Sequence, residues 1–174
     1  SAIASHLFYN FTLLEWAWAE EPFKLLWAVR NDGALLTLTY LKEQEFIAWS
    51  HSDTNGAFTS VASVVEATAT AGNIDAIYFV VQREVNGNTV QYVERLAERA
   101  FPNGLASAWC VDAGLAYTGA ATLSFTGAQH LAGMEVVGIA TTDTGTTAAI
   151  TPLTVSATGT FTLPAPASPA TGYT

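Results

Sequence analysis

The sequence is poor in the residues that mark disulfide-stapled, thiol-dependent and zinc-binding proteins. It contains a single cysteine, Cys110, in 174 residues, so no disulfide can form within the chain and no CxxC metal-binding pair exists. A catalytic thiol would need a partner base, and no Cys–His signature accompanies Cys110. A small buried hydrophobe is therefore expected at this position. The lack of a disulfide framework favours assembly in a reducing cytoplasm.

Basic residues are also scarce. Six Lys and Arg face 15 Asp and Glu, which gives a formal net charge of −9. Sequence-independent binding of nucleic acid requires a basic surface that displaces counterions, and docking on anionic lipid requires one as well. The apolar N-terminal stretch is interrupted by Glu15, Glu20 and Glu21, so neither a signal peptide nor a transmembrane span is predicted.

The motifs of common enzymes are missing. The sequence has no GxSxG, Walker or dinucleotide-binding glycine pattern, and its histidines lack metal-ligand spacing. These histidines are His6, His51 and His130. Two pairs come nearest to the pattern of an acid–base or glycosidase pair: His51 with Asp53, and Glu43 with Glu45. Polar turns contain the same residue types without any catalytic role. We therefore predict no catalytic, cofactor-binding or metal-binding residues, no cofactor and no enzymatic activity.

Alternating hydrophobicity is the clearest pattern in the chain. Between Leu25 and Trp49 it predicts three strands, which cover residues 25–30, 34–41 and 46–49. Asn31-Asp32-Gly33 separates the first two, and Asn/Asp-Gly between alternating runs is the strongest short-range hairpin signal. After a second such turn at Asn55-Gly56, residues 58–65 are predicted as a fourth strand. The result is a meander of the size of one propeller blade.

The flanking segments extend this β pattern. Residues 12–18 read as a strand with one aromatic face, after a short helix at residues 2–7. The β-branched residues 74–83 are joined by an Asn-Gly turn to residues 89–96, which predicts a hairpin that begins a second meander. A propeller needs at least about four blades, so the rest of any ring is expected outside this chain.

The composition changes near Phe101-Pro102-Asn103-Gly104. All six basic residues precede this point, and only Asp112, Glu135 and Asp143 carry charge after it. Five short β-like runs follow, at residues 122–126, 134–140, 146–150, 153–155 and 160–163. Short strands between glycine turns are typical of a small β-sandwich or barrel.

We therefore predict an all-β chain of antiparallel meanders followed by a small β-sandwich or barrel module. Residues 1–100 form the propeller-like antiparallel region, and residues 101–174 form the Thr/Ala/Gly-rich module. The Pro-rich end, residues 164–174, is interpreted as a linker or an edge segment.

Tryptophan is unusually frequent. The five positions are Trp16, Trp18, Trp27, Trp49 and Trp109. Aromatic side chains can stack sugars or single-stranded bases, but they also dominate cores and subunit interfaces. Alternating strands around them favour core and interface, and Trp27 and Trp49 are predicted to lie in the core.

Two acid–base dipeptides, Glu94-Arg95 and Glu98-Arg99, lie four residues apart. Two interpretations fit this spacing. The residues are either i,i+4 partners in a short helical turn or an ion cluster at a sheet end that contacts another subunit.

Several ordered motifs resemble a known family. They are Trp27-Ala28-Val29-Arg30-Asn31-Asp32-Gly33, Leu38-Thr39-Tyr40-Leu41-Lys42-Glu43-Gln44-Glu45, Ala48-Trp49-Ser50-His51, Tyr92-Val93-Glu94-Arg95-Leu96, Val111-Asp112-Ala113-Gly114-Leu115 and His130-Leu131-Ala132-Gly133. Over roughly residues 20–140 the chain resembles the tail-nozzle or tubular-tail proteins of short-tailed bacteriophages, together with related hub and stabilisation proteins. The Thr/Ala/Gly-rich tail departs from that pattern.

The resemblance implies a structural virion protein without catalytic residues. It would assemble in the host cytoplasm with copies of itself and other tail subunits, as part of a ring around the channel through which DNA leaves. Connector or tail-fibre proteins would be its neighbours, DNA would pass without sequence-specific binding, and no membrane insertion would occur. A negatively charged channel component would repel the DNA backbone and let it slide. The alternative is a β-sandwich adhesin or carbohydrate-binding module with a tryptophan platform.

Overall fold

A computed structural model describes residues 2–68, 72–98 and 111–174 and shows an all-β protein, as the sequence predicts. Its strands are β1 (Leu13–Ala19), β2 (Leu25–Arg30), β3 (Leu35–Leu41), β4 (Phe46–Ser52), β5 (Ala57–Thr68), β6 (Gly72–Val85), β7 (Asn88–Arg95), β8 (Ser124–Phe125), β9 (Glu135–Thr141), β10 (Thr147–Thr154) and β11 (Phe161–Thr162). The helices in these ranges are short 3₁₀ helices, at Ala2–Leu7, Lys42–Gln44 and Gln129–Leu131.

The chain divides into two compact units. Unit 1 comprises Ser1–Glu84 and Thr89–Asp112, and unit 2 comprises Val85–Asn88 and Ala113–Thr174. The boundary predicted near residue 100 lies outside the described residues and stays a prediction.

Sheet A of unit 1 is an antiparallel meander in the order β1-β2-β3-β4. The predicted turn between β2 and β3 is confirmed: the N–H of Arg30 donates to Ala34 O at 2.9 Å, and Gly33 adopts φ +87°. That left-handed conformation suits glycine, which has no Cβ to clash. Glu45, which ends the turn between β3 and β4, also has a positive φ of 53°.

Sheet B of unit 1 has the order β5-β6-β7, and it corrects one sequence-based prediction. Residues 58–65 were expected to complete the first meander, but β5 pairs with β6, and β1 supplies the fourth strand of sheet A. Asn55-Gly56 therefore connects two sheets and does not form a hairpin. Eleven residue pairs join the long strands β5 and β6, a longer ladder than the seven residues of β4 offer. The predicted hairpin between β6 and β7 is confirmed, with positive φ at Asn86 and Gly87.

The core of unit 1 lies between sheets A and B. Sheet A contributes Ala19, Leu25, Trp27, Val29 and Leu35, and sheet B contributes Val61, Ile77, Phe79 and Val81. An aromatic edge contact joins the two sheets, because the ring centroids of Trp27 and Phe79 lie 5.8 Å apart. Within sheet B, the ring of Phe58 lies 5.2 Å from that of Phe79. The face predicted for β6 from Ile77, Phe79 and Val81 is thus the buried face.

Unit 2 consists of two antiparallel two-stranded ladders, β9–β10 and β8–β11. Its core is small, with Phe125, Leu163 and Tyr173 buried and residues of both ladders packed around them. The described strands do not close into a barrel.

Two details of unit 2 differ from or refine the sequence prediction. Runs 146–150 and 153–155 were expected to be separate strands, but β10 spans Thr147–Thr154, with a register shift between Ile150 and Leu153. Pro152 lies at that shift, where its missing N–H does not interrupt a ladder bond. The Pro-rich end is an edge segment rather than a linker, because Tyr173 exchanges backbone hydrogen bonds with Thr122.

Candidate functional site

The outer face of sheet A, the side turned away from sheet B, carries an unusual density of large apolar side chains. Cross-strand pairing aligns one row across all four strands: Trp18, Leu26, Leu38 and Trp49. Tyr40 and Ile47 form the neighbouring pair on the same face. Side chains at every second strand position share a face, so this surface follows directly from the alternation in the sequence. We call Trp16, Trp18, Tyr40, Ile47 and Trp49 the aromatic face.

The N-terminal segment covers part of this side of the sheet. The ring of Phe8 meets that of Trp49 edge-on at 4.9 Å. Arg30 donates from Nη1 to Leu7 O at 2.7 Å, and its guanidinium carbon lies 3.7 Å from the ring centroid of Phe11. Arg30 also donates from Nε to Asp32, and this hydrogen bond lowers the pKa of Asp32. The segment is therefore fixed by a cation–π contact and a charged hydrogen bond.

The remainder of the aromatic face is open to solvent. Trp16 is 63% exposed, Ile47 53% and Tyr40 37%. Trp18 is partly buried and donates from Nε1 to Glu20 at 2.8 Å. Exposed apolar side chains clustered on one face mark interaction sites more often than isolated ones do. This surface could therefore pack against another sheet or stack a planar ligand.

The tryptophan predictions are met in part. Trp27 is 5% exposed and lies in the core, as expected. Trp49 was predicted to be core but is only partly buried, because it points to the outer face, where Phe8 is its partner. The register of the sheet explains the error. Trp49 pairs with Leu38, and Leu38 points to the opposite face from its neighbour Thr37, which faces the core. Trp109 and Cys110 lie outside the described residues.

A charged cluster surrounds Arg83, which is only 3% exposed. Its guanidinium donates to both carboxylate oxygens of Glu94, at 2.6 and 2.8 Å, and to Asp112 at 2.8 Å. Burial opposes ionisation of Asp112, but hydrogen bonds from Arg83 and Thr54 outweigh it and lower the pKa of this carboxyl. The cluster anchors the Thr54–Asn55 connection, so its role is structural. No local sequence pattern predicts this cluster, because Glu94 and Asp112 lie 11 and 29 residues after Arg83.

A second cluster corrects the helical interpretation of the dipeptides at residues 94–99. Arg95 ends strand β7 and donates from Nη2 to Glu66 at 2.9 Å and to Glu98 at 3.3 Å. Tyr78 donates a hydrogen bond to the same Glu66 carboxylate, and this bond is the main cause of the lowered pKa of Glu66. Glu94 pairs with Arg83 instead of a helical neighbour, and Arg99 lies outside the described residues. Arg95–Glu66 and Arg83–Glu94 therefore join different strands of sheet B, and Arg95–Glu98 is a local contact just after β7.

Glu15 joins the edges of the two sheets. It follows a bulge in β1 and accepts from Ser60 Oγ at 2.5 Å and from Val61 N at 2.9 Å. These bonds lower the pKa of Glu15. A carboxylate thus satisfies a backbone donor of the edge strand β5. The sequence contains no signal for this contact, apart from an acidic residue within an otherwise apolar strand.

The weakest sequence candidates occupy turns or strand ends. His51 Nε2 lies 3.0 Å from Asp53 Oδ1, and both side chains are solvent-accessible. Glu43 and Glu45 occupy the 3₁₀ turn and its end, which agrees with the turn interpretation. In the described ranges, no three His, Cys, Asp or Glu side chains are grouped so that they could hold a metal ion. No helix in the same ranges has the length and apolarity needed to cross a membrane.

Comparison with known proteins adds no further constraint. No protein-family model matches the chain, and a search of curated proteins gives no significant match.

Proposed function

We propose that this protein is a structural subunit of a bacteriophage tail, of the nozzle or hub kind, and forms part of an oligomeric ring around the DNA channel. The proposal that the particle is a bacteriophage tail rests on the resemblance of the sequence motifs described above. The structural support is the aromatic face, which remains open although the core residues on the opposite side of the same sheet are buried against sheet B.

The packing of unit 1 supports this proposal. Sheet A is a four-stranded meander that packs face to face on sheet B through Trp27, Val29 and Phe79. Propeller blades are four-stranded sheets that pack against a neighbour on each side. Sheet A has such a neighbour on its inner side only. Its outer side presents Trp16 and Ile47 to solvent, and a further sheet from a neighbouring subunit would bury them.

Charge supports the same proposal. The net charge is −9, and the basic side chains Arg30, Arg83 and Arg95 are each paired with carboxylates. Because the phosphate backbone binds to unpaired Lys and Arg, DNA would find few places to adhere. A ring with this surface would let DNA slide past.

Sedimentation velocity over a concentration series, together with negative-stain microscopy, tests the proposal. We expect the wild-type chain to form a defined ring as its concentration rises. Ile47→Lys places a charge on the aromatic face and should prevent assembly without unfolding the protein. Val93→Lys is the matched control, because Val93 is a strand valine that is 74% exposed on sheet B. A wild-type chain that stays monomeric, or an Ile47→Lys variant that assembles like wild type, would refute the proposal.

A carbohydrate-binding module is the second candidate, and the exposure of Trp16 is the observation that favours it. An exposed indole ring can stack against the flat face of a sugar, and Trp18 lies two residues away on the same face. Glycan-array binding that is lost in Trp16→Ala, by a chain that remains monomeric, would support this function over the tail function.

A further inference from the structure

Strand β4 forms one edge of sheet A, and in the part of the chain that the structure describes no further strand pairs with its free side. The hydrogen bonds of the preceding strands show which main-chain groups lie on that side. Arg30 N donates to Ala34 O, and Tyr40 N donates to Lys24 O. Neighbouring residues of an antiparallel strand direct their main-chain groups to opposite sides. The even-numbered residues of β3 therefore bond to β2, and its odd-numbered residues bond to β4.

Three residues of β4 direct their main-chain groups away from the sheet. The odd-numbered residues of β3 are in register with the even-numbered residues of β4, from 46 to 52. The N–H and C=O groups of Ile47, Trp49 and His51 therefore point outward. Within the described ranges, no hydrogen bond to these groups is formed. Unpaired groups along a strand edge are a template for pairing with another chain.

Two other strand edges of unit 1 carry protection that β4 lacks. Between β1 and β5, the Glu15 carboxylate accepts from Val61 N at 2.9 Å. Strand β7, the outer strand of sheet B, ends in the charged residues Glu94 and Arg95. Strand β4 contains no Asp, Glu, Lys, Arg or Pro, and it pairs with β3 without a register shift. Because charges, prolines and bulges are the features that keep strand edges apart, the edge of β4 is open for pairing.

We propose that β4 pairs antiparallel with β4 of a second copy of this chain, with the two-fold axis at Ala48, so that two copies of sheet A become one continuous sheet. A strand that pairs antiparallel with itself forms the self-complementary contact that a two-fold dimer requires. Directly opposite residues share a face, so the aromatic face continues across the interface. The proposal does not rest on the tail function.

Side-chain packing and charge favour an axis at Ala48. This register places Ile47 opposite Trp49 of the partner subunit, and a β-branched side chain opposite an aromatic one is a stabilising cross-strand pair. It also brings Glu45, which directly precedes β4, level with His51 of the partner subunit. An acidic side chain thus meets a basic one at each end of the paired strands.

The neighbouring registers lack this complementarity. An axis at Trp49 would place Glu45 level with Asp53 of the partner subunit, and like charges directly opposite each other are destabilising. An axis at Ser50 would place Asp53 opposite the partner subunit's Ile47, a charged side chain against an apolar one. The sequence around β4 therefore selects one register for the dimer.

Engineered cysteines on the full chain test the interface and its register. Cys110→Ser first removes the single native thiol. Ala48→Cys then places two thiols at a non-hydrogen-bonded pair, where Cα atoms lie about 4.5 Å apart, a distance that a disulfide spans. Ser50→Cys is the matched control, because its two Cα atoms would be offset by about 13 Å along the strands. Under mild oxidation, Ala48→Cys should form a disulfide-linked dimer on non-reducing gels, and Ser50→Cys should not.

Two substitutions at Ile47 separate the main chain from the side chain. Ile47→Ala shortens the side chain but keeps the outward N–H, which donates to Trp49 of the partner subunit. Ile47→Pro also removes that N–H, and the ladder with β3 stays intact because this N–H takes no part in it. We expect Ile47→Pro to dimerise at least about tenfold more weakly than Ile47→Ala in sedimentation velocity. Urea denaturation should give similar unfolding midpoints for the two variants.

Several outcomes would overturn the proposal. They are the absence of a cross-link in Ala48→Cys, an equal or stronger cross-link in Ser50→Cys, and equal dimerisation of the two Ile47 variants. If Ile47→Pro fails to fold, the cross-links alone decide. A wild-type chain that stays monomeric at every concentration would also overturn the pairing of two copies.

The same experiments separate this interface from the proposed ring. A ring that assembles without the Ala48→Cys cross-link would refute only the pairing of β4. A dimer that is cross-linked at this position but forms no ring would refute only the tail function.

Discussion

The two units are both β structures, yet they are held together by different chemistry. Unit 1 has a core of nine buried residues, with aromatic rings from both sheets. The hydrophobic cluster of unit 2 contains only three buried residues, Phe125, Leu163 and Tyr173, although Val155 is also buried in this unit. Every ion pair found among the described residues with Lys or Arg belongs to unit 1, since no Lys or Arg follows residue 100.

Neutral hydrogen bonds between hydroxyl groups take the place of ion pairs in unit 2. Ser156 Oγ lies 2.7 Å from Thr160 Oγ1, and Thr141 Oγ1 lies 2.9 Å from Thr147 Oγ1. Asp143 is held by Thr171, which donates from both its N–H and its hydroxyl. Such bonds do not depend on cationic partners. Unit 1 should therefore respond to charge and core substitutions that leave unit 2 unchanged.

Trp27→Ala is expected to have the largest effect. Removing a buried tryptophan from a packed core costs about 3–5 kcal/mol of unfolding free energy, here through lost contacts with Phe79 and the rest of the core. Trp49→Ala should cost less than half as much, because Trp49 is only partly buried. Urea denaturation gives both values. Hydrogen exchange should accelerate in β2 and β6 but not in β9 and β10.

This prediction can fail in two ways. Equal losses for the two tryptophans would mean that Trp49 is as well packed as Trp27. Faster exchange in β9 and β10 of the Trp27→Ala variant would show that the two units unfold together, which would contradict the contrast between them.

Arg83→Met comes next in expected size. Breaking a buried ion pair by removal of one partner costs about 3–5 kcal/mol, and the loss should lie at the lower end because the Asp112 side chain is 49% exposed. Arg83→Lys keeps the charge but cannot form the two-pronged contact with Glu94, so it should recover only part of the loss. Denaturation of the three proteins in parallel measures this. A loss below about 1 kcal/mol for Arg83→Met would show that the cluster stabilises the fold no more than an exposed ion pair does.

Much of the fold could be predicted from local sequence. Asn31-Asp32-Gly33 and Asn86-Gly87 specify hairpins, because their backbones adopt the positive φ that such turns require. Alternation identified the buried face of β6 correctly. The partner of β5 could not be predicted, because Asn55-Gly56 gives the same local signal whether the next strand stays in its sheet or leaves it. The longer ladder favours the pairing with the next strand, β6, and its eleven residue pairs extend beyond the stretch 58–65 that the sequence pattern marked as a strand.

The candidate site could be predicted only in part. An abundance of tryptophan indicated core or interface, but assigning each ring to a side requires the register of the sheet. Trp27 and Trp49 both lie in apolar strands, and only pairing places one inside and the other outside. The Arg83 cluster and the Glu15 bridge join residues 11 to 46 positions apart. No local pattern can reveal such contacts.

Acidification should increase the difference in stability between the two units. Glu15, Asp32 and Glu66 have lowered pKa values in the folded protein, each first through a side-chain hydrogen bond. When the pKa of a carboxyl is lower in the folded than in the unfolded protein, its ionised form stabilises the fold. This stabilisation is complete above the pKa of the unfolded protein and is lost as the pH falls through the pKa of the folded protein. In unit 2 the corresponding group is Asp143, held by Thr171. Unit 1 should therefore lose stability below the ordinary glutamate value of 4.5, and unit 2 should lose less.

Hydrogen exchange at several pH values, corrected for intrinsic rates, measures the opening free energy of each unit. Glu15→Gln should flatten the acid-dependent decline of β1 and β5 without altering β9 and β10. An equally steep decline in both units, or no change of slope in Glu15→Gln, would show that these carboxylates do not set the acid sensitivity.

The smallest effects are expected at the histidines, and one from each unit makes a matched pair. His51 Nε2 meets the Asp53 carboxylate at 3.0 Å, with 36% and 74% of the two side chains exposed. His130 Nε2 lies 3.0 Å from the backbone oxygen of Ala113. The exposed contact between His51 and Asp53 is an ion pair only when His51 is protonated, and such a pair contributes about 0–1 kcal/mol. A hydrogen bond to backbone contributes about 0.5–1.5 kcal/mol. His51→Ala should therefore change the unfolding free energy less than His130→Ala. The reverse order, measured by urea denaturation, would mean that charge outweighs neutral hydrogen bonding even at the exposed rim of unit 1.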